Sequence, residues 1–361
     1  MSESTQNIVT QDLFDTLFRN TIVKPLLNTL PRNITPNFIT SINIPVRVTL
    51  FLLSYLLSQH YFLTTWSIFA IFTISTLFIS NEIIDDLDGM QARATGQYSK
   101  FGEIFDHVLD AFGVPILGVA VPMALHLSPM AVVAGLWGPT LIYHLQLSLY
   151  RRTGIFVEPQ VSGARSACTG SITVIVIGLL NLIMGRYSTP MCVISTITEV
   201  ILIIGCLQNI YFYAIQLWQD HNKHREIREP LYVDCAYFIV IAITYSVLFL
   251  NQYGFHSFQN TSSSEGLMIT PLCFTIITTG YSTVVNGQEV QNIVLNKPRS
   301  YLADYLSISM IAMILGLFLF DQMNMVLDYT VNYFQTMTGI LLISFQCVSL
   351  HKTFKQLSKN I

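Results

Sequence analysis

Six acidic side chains fall within residues 85–110, DDLDGMQARATGQYSKFGEIFDHVLD, and the chain on both sides of this stretch is apolar. Read as helices, Asp85 and Asp88 lie three apart and Asp106 and Asp110 four apart, so each pair shares one face of its own helix. A polar hairpin over residues 94–101 joins the two helices and directs four carboxylates toward one cleft. Left alone they repel. Protonation or divalent cations relieve the repulsion, and an all-oxygen ligand set suits hard ions such as Mg²⁺ or Mn²⁺. Small residues accompany the acids. Gly89 and Ala92 follow the first pair, and Gly102, Asp106 and Asp110 form a stripe at four-residue spacing that continues to Gly113. Missing side chains on a carboxylate face leave room for a ligand or a close helix. An anionic ligand fits, because bound cations recruit phosphates and Arg93 adds a guanidinium suited to them. The plainer reading is a loop whose charges solvate helix ends. Acids at helical spacing beside glycines and within a membrane-spanning context are costly without a function, which favours the chemical reading.

The elements that must position these residues are membrane helices. Of 361 residues, 52% are hydrophobic and 11% charged, well below the roughly 25% charged residues of a soluble domain. About ten apolar runs are long enough to cross a hydrocarbon core of about 30 Å: 38–58, 62–84, 104–127, 129–149, 167–185, 190–217, 232–250, 266–285, 301–320 and 326–348. The expected fold is therefore an all-α, polytopic membrane bundle of about ten transmembrane helices. No cleavable signal pattern opens the chain, so the first span is expected to serve for targeting. The six cysteines are scattered singly through apolar segments and read as small buried hydrophobes. A net charge of −3 gives no reason to expect a nucleic-acid partner.

Charge placement orients the bundle. With the N-terminus in the cytosol and ten alternating spans, 16 of the 18 Lys and Arg residues fall on the cytosolic side; Arg186 lies opposite and Arg47 sits inside the first span. This places both termini in the cytosol. The sequon Asn260-Thr261-Ser262 falls on the lumenal side. Residues 8–31 set Leu13, Leu17, Ile22 and Leu26 among polar neighbours, the pattern of an amphipathic interfacial helix broken near Pro25 and ended by Pro31; a helix packed on the bundle fits the same pattern. Three parts follow: a cytosolic arm over 1–34, a catalytic transmembrane part over 35–217, and further helices with a cytosolic tail over 218–361. Arg47 lies about 15 Å into the first span. It either pairs with the acidic cluster or snorkels to a headgroup.

The spacing Asp85-x2-Asp88-Gly89-x2-Ala92-Arg93-x8-Gly102-x3-Asp106-x3-Asp110 resembles the signature of the CDP-alcohol phosphotransferases at each of its eight fixed residues. The segment TPN at 35–37 and GEIFDH at 102–107 are similar to the choline and ethanolamine phosphotransferase branch. The resemblance implies an integral-membrane transferase of substituted phosphate groups. A CDP-linked alcohol donor binds with its pyrophosphate on two divalent ions, an acceptor hydroxyl attacks the β-phosphorus, and CMP leaves. It also implies that Asp85, Asp88 and Asp106 are the main metal ligands and that Asp110 completes the site or assists proton removal. Gly89 and Ala92 would let the nucleotide approach the backbone, with Arg93 and Gly102 at the phosphate side and Asn37 at the cytidine. A homodimer in endoplasmic-reticulum or Golgi membranes, surrounded by membrane lipids, is the family expectation for a eukaryotic chain.

In that branch the histidine of GEIFDH and a glutamate beyond a Tyr-x3-Gly stretch activate the acceptor. His107, Tyr150 and Gly154 are present, whereas the glutamate position falls near Ala164 and Arg165, with Glu158 nearby. A basic residue there is similar to relatives that use CDP-diacylglycerol and a phosphorylated polyol, where Arg165 would bind the acceptor's phosphate. Arg151 and Arg152 read either the same way or as topology-setting charges. His107 reads as the general base or as a helix histidine bonded to a carboxylate. The first choice of reaction is CDP-choline or CDP-ethanolamine with diacylglycerol; CDP-diacylglycerol-dependent transfer is second. An ion-coupled transporter is the alternative of another class, and a silent scaffold a third.

Overall fold

The computed structural model describes residues 17–58, 64–157, 166–185, 188–223, 266–298 and 328–358, and among them there are helices and no strands. A π-helical turn, Arg19–Val23, runs into α1, Lys24–Thr29. The main helices are α2, Pro36–Ser58; α3, Thr64–Thr95; α4, Lys100–Ala124; α5, Pro129–Thr153; α6, Ser166–Met184; α7, Thr189–Lys223; α8, Gly266–Val294; and α9, Asp328–Ser358. Five of them carry stretches long and apolar enough to cross a membrane: Pro36–Ser58, Trp66–Thr95, Lys100–Ala124, Met130–Thr153 and Thr189–Asn222. The apolar part of α6, Gly170–Met184, is shorter. Helices α8 and α9 coincide with the expected segments 266–285 and 326–348. The expected spans 232–250 and 301–320, the sequon and the first sixteen residues of the arm lie outside the described residues.

Helix ends differ from the hydropathy reading in informative ways. Apolar character fades after residue 84, yet α3 continues to Thr95 because Leu87 and Ala92 remain buried on its inner face. The polar hairpin expected over 94–101 is thus confined to residues 96–99, and the link to α4 is short. Gly96 supplies the left-handed φ of +68° that ends α3, and the Ser99 hydroxyl caps α4 by accepting from the Gly102 N–H at 2.9 Å. Helix α7 runs to Lys223, past the boundary expected at 217. Nor is the arm broken at Pro25: helical winding continues through it, changing from π to α between Val23 and Lys24.

Helix α4 is the hub, with α2, α5, α6, α8 and α9 all against it. Phe51 of α2, Ile116, Val119 and Met123 of α4, Leu136 of α5 and Tyr281 of α8 share one buried cluster. A second joins Leu50, Ile74, Phe78, Ala120 and Val174, fixing α3 and α6 on the other side. Helices α4 and α5 come close enough at Gly118 and Gly135 that a Cβ on Gly118 would lie 1.9 Å from the Gly135 carbonyl oxygen. The arm is packed rather than free: Phe18 and Val23 are buried with Ile39 and Leu87, while Leu17, Ile22 and Leu26 face outward. Arg19 holds it in place through Asp86, Nη2 to Oδ1 at 2.9 Å.

Candidate active site

The facing ends of α3 and α4, next to the turn at residues 96–99, carry the signature. One carboxylate oxygen from each of Asp85, Asp106 and Asp110 lies within 4.8 Å of the other two. Asp88 is 5% exposed and engaged with α2, where the Thr40 hydroxyl donates to its Oδ2 at 2.5 Å. Asp86, outside the signature, turns to Arg19.

Arg47 resolves as the partner of this cluster. The side chain is 3% exposed, and each of its nitrogens donates: Nε to Asn81 Oδ1 at 2.7 Å, Nη1 to the Leu109 carbonyl at 2.5 Å, and Nη2 to Asp110 Oδ1 at 3.0 Å. Asp85 Oδ1 stands 3.7 Å from the same Nη2. Residue 113 must be glycine for this to occur, since a Cβ there would lie 2.3 Å from Nη1. The small residue of the stripe therefore makes room for a guanidinium, not for a neighbouring helix.

The other signature residues fall around the same end. Ala92 is buried, and the Arg93 guanidinium folds back over Gly89, 3.6 Å from where a Cβ would stand. Gly102 meets Asn37: a Cβ would lie 3.0 Å from Asn37 Oδ1 and 3.1 Å from Ser99 Oγ. Asn37 is thereby brought to the first turn of α4. Gln91 steadies that approach by donating to the carbonyls of Pro31 and Ile34, at 3.3 and 3.0 Å.

His107 turns from the carboxylate face by about 100°, as one residue of helix requires. Its ring stacks on Phe156 with centroids 4.5 Å apart and meets Tyr150 at 6.0 Å. The Nδ1 atom is buried, and among the described residues the ring makes no hydrogen bond to a carboxylate. Glu103, one turn earlier on the same helix, accepts from the Tyr150 hydroxyl at 2.5 Å. Tyr143 donates to the His107 carbonyl at 2.6 Å. Thr40, Asn81, Glu103, Tyr143 and Phe156 are absent from the sequence reading. Asn81 and Glu103 carried a signal, lying four residues before Asp85 and His107 on the same faces.

Arg151 is committed elsewhere. Its Nε donates to the buried Glu289 of α8 at 2.5 Å. Beside this pair a cavity of about 330 Å³ opens between α4, α5 and the end of α8, lined by Lys100, Glu103, Tyr150, Arg151 and Lys297 among others. Arg152 is buried at 8% exposure. Glu158 and Arg165 lie outside the described residues.

The model of the family described as CDP-alcohol phosphatidyltransferase matches residues 33–211, which runs from just before α2 into α7. The chain is also similar to an uncharacterized CDP-alcohol phosphatidyltransferase class-I family protein 2 of Dictyostelium discoideum, 27% identical over 195 residues. That match covers 51% of this chain and 46% of the relative, so the chain spans about half the length of the curated protein it matches.

Proposed function

We propose, for a chain that belongs to the CDP-alcohol phosphatidyltransferase family through residues 33–211, that it transfers phosphocholine or phosphoethanolamine from the CDP-alcohol to diacylglycerol and releases CMP. The observation that carries the reading is the convergence of Asp85, Asp106 and Asp110 at the joined ends of two long apolar helices. An all-oxygen set at this separation fits Mg²⁺ or Mn²⁺. Asp85, Asp88 and Asp106 would hold the metal and Asp110 would complete the set. Bound there, it supplies charge neutralisation for a pyrophosphate and for the departing CMP.

The chain's own residues do the remaining work. Gly89, Ala92 and Gly102 keep the nucleotide's approach open, with Arg93 and Asn37 at its rim. His107, held between Phe156 and Tyr150, takes the proton of the acceptor hydroxyl. A neutral acceptor is supported by the pairing of Arg151 with Glu289, which engages a cation that a phosphorylated acceptor would otherwise use. The CDP-diacylglycerol reaction keeps its support in Arg165 and Arg152. The distribution of basic residues supports two cytosolic termini, and the proposed setting for a eukaryotic chain is the endoplasmic-reticulum or Golgi membrane, with a homodimer as the assembly.

Purified protein in lipid nanodiscs, supplied with Mg²⁺ and radiolabelled CDP-choline, CDP-ethanolamine or CDP-diacylglycerol, decides the matter. Labelled phosphatidylcholine or phosphatidylethanolamine formed with stoichiometric CMP is the expected result. Turnover of CDP-diacylglycerol alone, with a polyol or polyol phosphate, would select the second reaction. Failure to release CMP from any of the three would remove the enzymatic reading.

A further inference from the structure

Away from the signature carboxylates, the cavity of about 330 Å³ lies where α4 begins and α5 and α8 both end. Its volume is at the small end of the roughly 300–1,000 Å³ range of small-molecule pockets. Neither His107 nor any of the four signature carboxylates lines it; Tyr150 is the residue it shares with the proposed acceptor side. Lys297 is held there by backbone geometry. Asn296 ends α8 with a left-handed φ of +53°, the Lys297 N–H donates to the Asn292 carbonyl at 2.7 Å, and Arg151 Nη1 donates to the Lys297 carbonyl at 3.4 Å. The unengaged groups of this wall are chiefly donors. The carbonyls of Tyr150, Asn292 and Ile293 already accept from backbone N–H groups, and the Glu103 carboxylate accepts from the Tyr150 hydroxyl. Arg151 and Asn292, by contrast, each keep a buried nitrogen, Nη2 and Nδ2, with no hydrogen-bond partner among the described residues. Glu289 balances the charge of Arg151, so Lys100 and Lys297 against Glu103 leave one positive charge in excess. An acceptor-rich, negatively charged ligand completes such a wall, and basic pockets between membrane helices hold phosphate headgroups for the same reason.

We propose that this cavity is a binding site for a phosphate group, carried by a lipid headgroup or free in solution, with Lys100, Lys297, Arg151 and Asn292 as its donors. Asn292 and Lys297 come from α8 and the turn after it, beyond the residues 33–211 that match the family model. The site is therefore made where the later helices join the family-matched part. It is independent of the reaction proposed above.

Native mass spectrometry of the detergent-purified full-length protein compares bound phosphatidic acid with phosphatidylcholine of the same acyl chains, and calorimetry follows inorganic phosphate; neither needs turnover. Preferential retention of phosphatidic acid that inorganic phosphate does not displace identifies a lipid headgroup as the source. Binding of inorganic phosphate that displaces the lipid identifies a soluble one. In either case Lys100→Gln and Lys297→Gln should each weaken binding about 5-fold, and Asn292→Leu should weaken it as well. Lys24→Gln on α1 removes the same charge away from the cavity and should leave binding as in wild type. Arg151 stays in place in these variants, because its pair with Glu289 joins α5 to α8. Equal retention of the two lipids together with no binding of inorganic phosphate would overturn the proposal. So would a loss in Lys24→Gln as large as that in Lys297→Gln, which would reduce the effect to general attraction at a basic surface.

Discussion

The Thr40 hydroxyl donates to Asp88 Oδ2 at 2.5 Å, a bond from α2 to α3 across 48 residues of chain. It ties a carboxylate that is 5% exposed to a neighbouring helix. A hydrogen bond to a charged group contributes about 1.5–3 kcal/mol, and each 1.4 kcal/mol is about a factor of ten. Thr40→Val keeps the shape of the side chain and removes the donor. It is expected to lower kcat/KM by about 10- to 100-fold, while Thr40→Ser restores most of the rate. Equal activity in Thr40→Val and wild type would show that Asp88 needs no orientation from α2.

Removing one of the charges proposed to hold metal should act more severely than loosening it. Asp88→Asn and Asp106→Asn are each expected to reduce turnover to background while the protein still inserts and elutes as a folded species, because the amide keeps the volume and loses the anionic ligand. Chelation of wild type should give the same loss, and Mg²⁺ or Mn²⁺ should restore it. Full activity in excess chelator would exclude the metal mechanism.

The acidic cluster was legible in the sequence because its information is local. Spacings of three and four residues fix which carboxylates share a face before any tertiary contact is known. Arg47 shows the opposite case. Its charge inside a span announced a partner, yet the choice between Asp110 and a headgroup depends on packing of α2 against α4, 63 residues away along the chain. The surroundings of His107 left no mark, because Tyr143 and Phe156 are aromatic residues in an aromatic-rich chain and their role lies only in where α5 and the segment just past its end place them. Hydropathy located the apolar part of α3 but not its end. A helix continues while one face stays buried, whatever the polarity of the other.

The orientation of the bundle is open to a chemical test at the turn between α3 and α4. Tyr98 is 70% exposed there and Gln97 is exposed beside it. In the proposed topology this turn faces the cytosol. A Gln97→Cys protein in sealed membranes should therefore react with an impermeant maleimide applied from the cytosolic side, above the labelling of the native cysteines. Reaction from the lumenal side alone would invert the topology and move the site to the lumen.

In the proposed mechanism the acceptor side of the site depends on His107. Stacking on Phe156 holds the imidazole, Tyr150 flanks it, and Nδ1 is buried without a hydrogen-bond partner among the described residues. An ordinary imidazole is largely neutral at cytosolic pH, as a base requires. Loss of a general base typically costs about 10²- to 10⁴-fold in rate, so His107→Ala should reduce kcat within that range and leave donor binding nearly unchanged. Protonation silences an imidazole base, so the wild-type rate should fall as pH decreases, and that acidic limb should vanish in the variant. Phe156→Leu offers a separate control, because it frees the ring without removing it; the expected result is a smaller loss of kcat with the acidic limb retained. Unchanged turnover of His107→Ala with every acceptor would return the residue to a packing role beneath Tyr150. It would shift the proton transfer to Asp110 and weaken the assignment of diacylglycerol as acceptor.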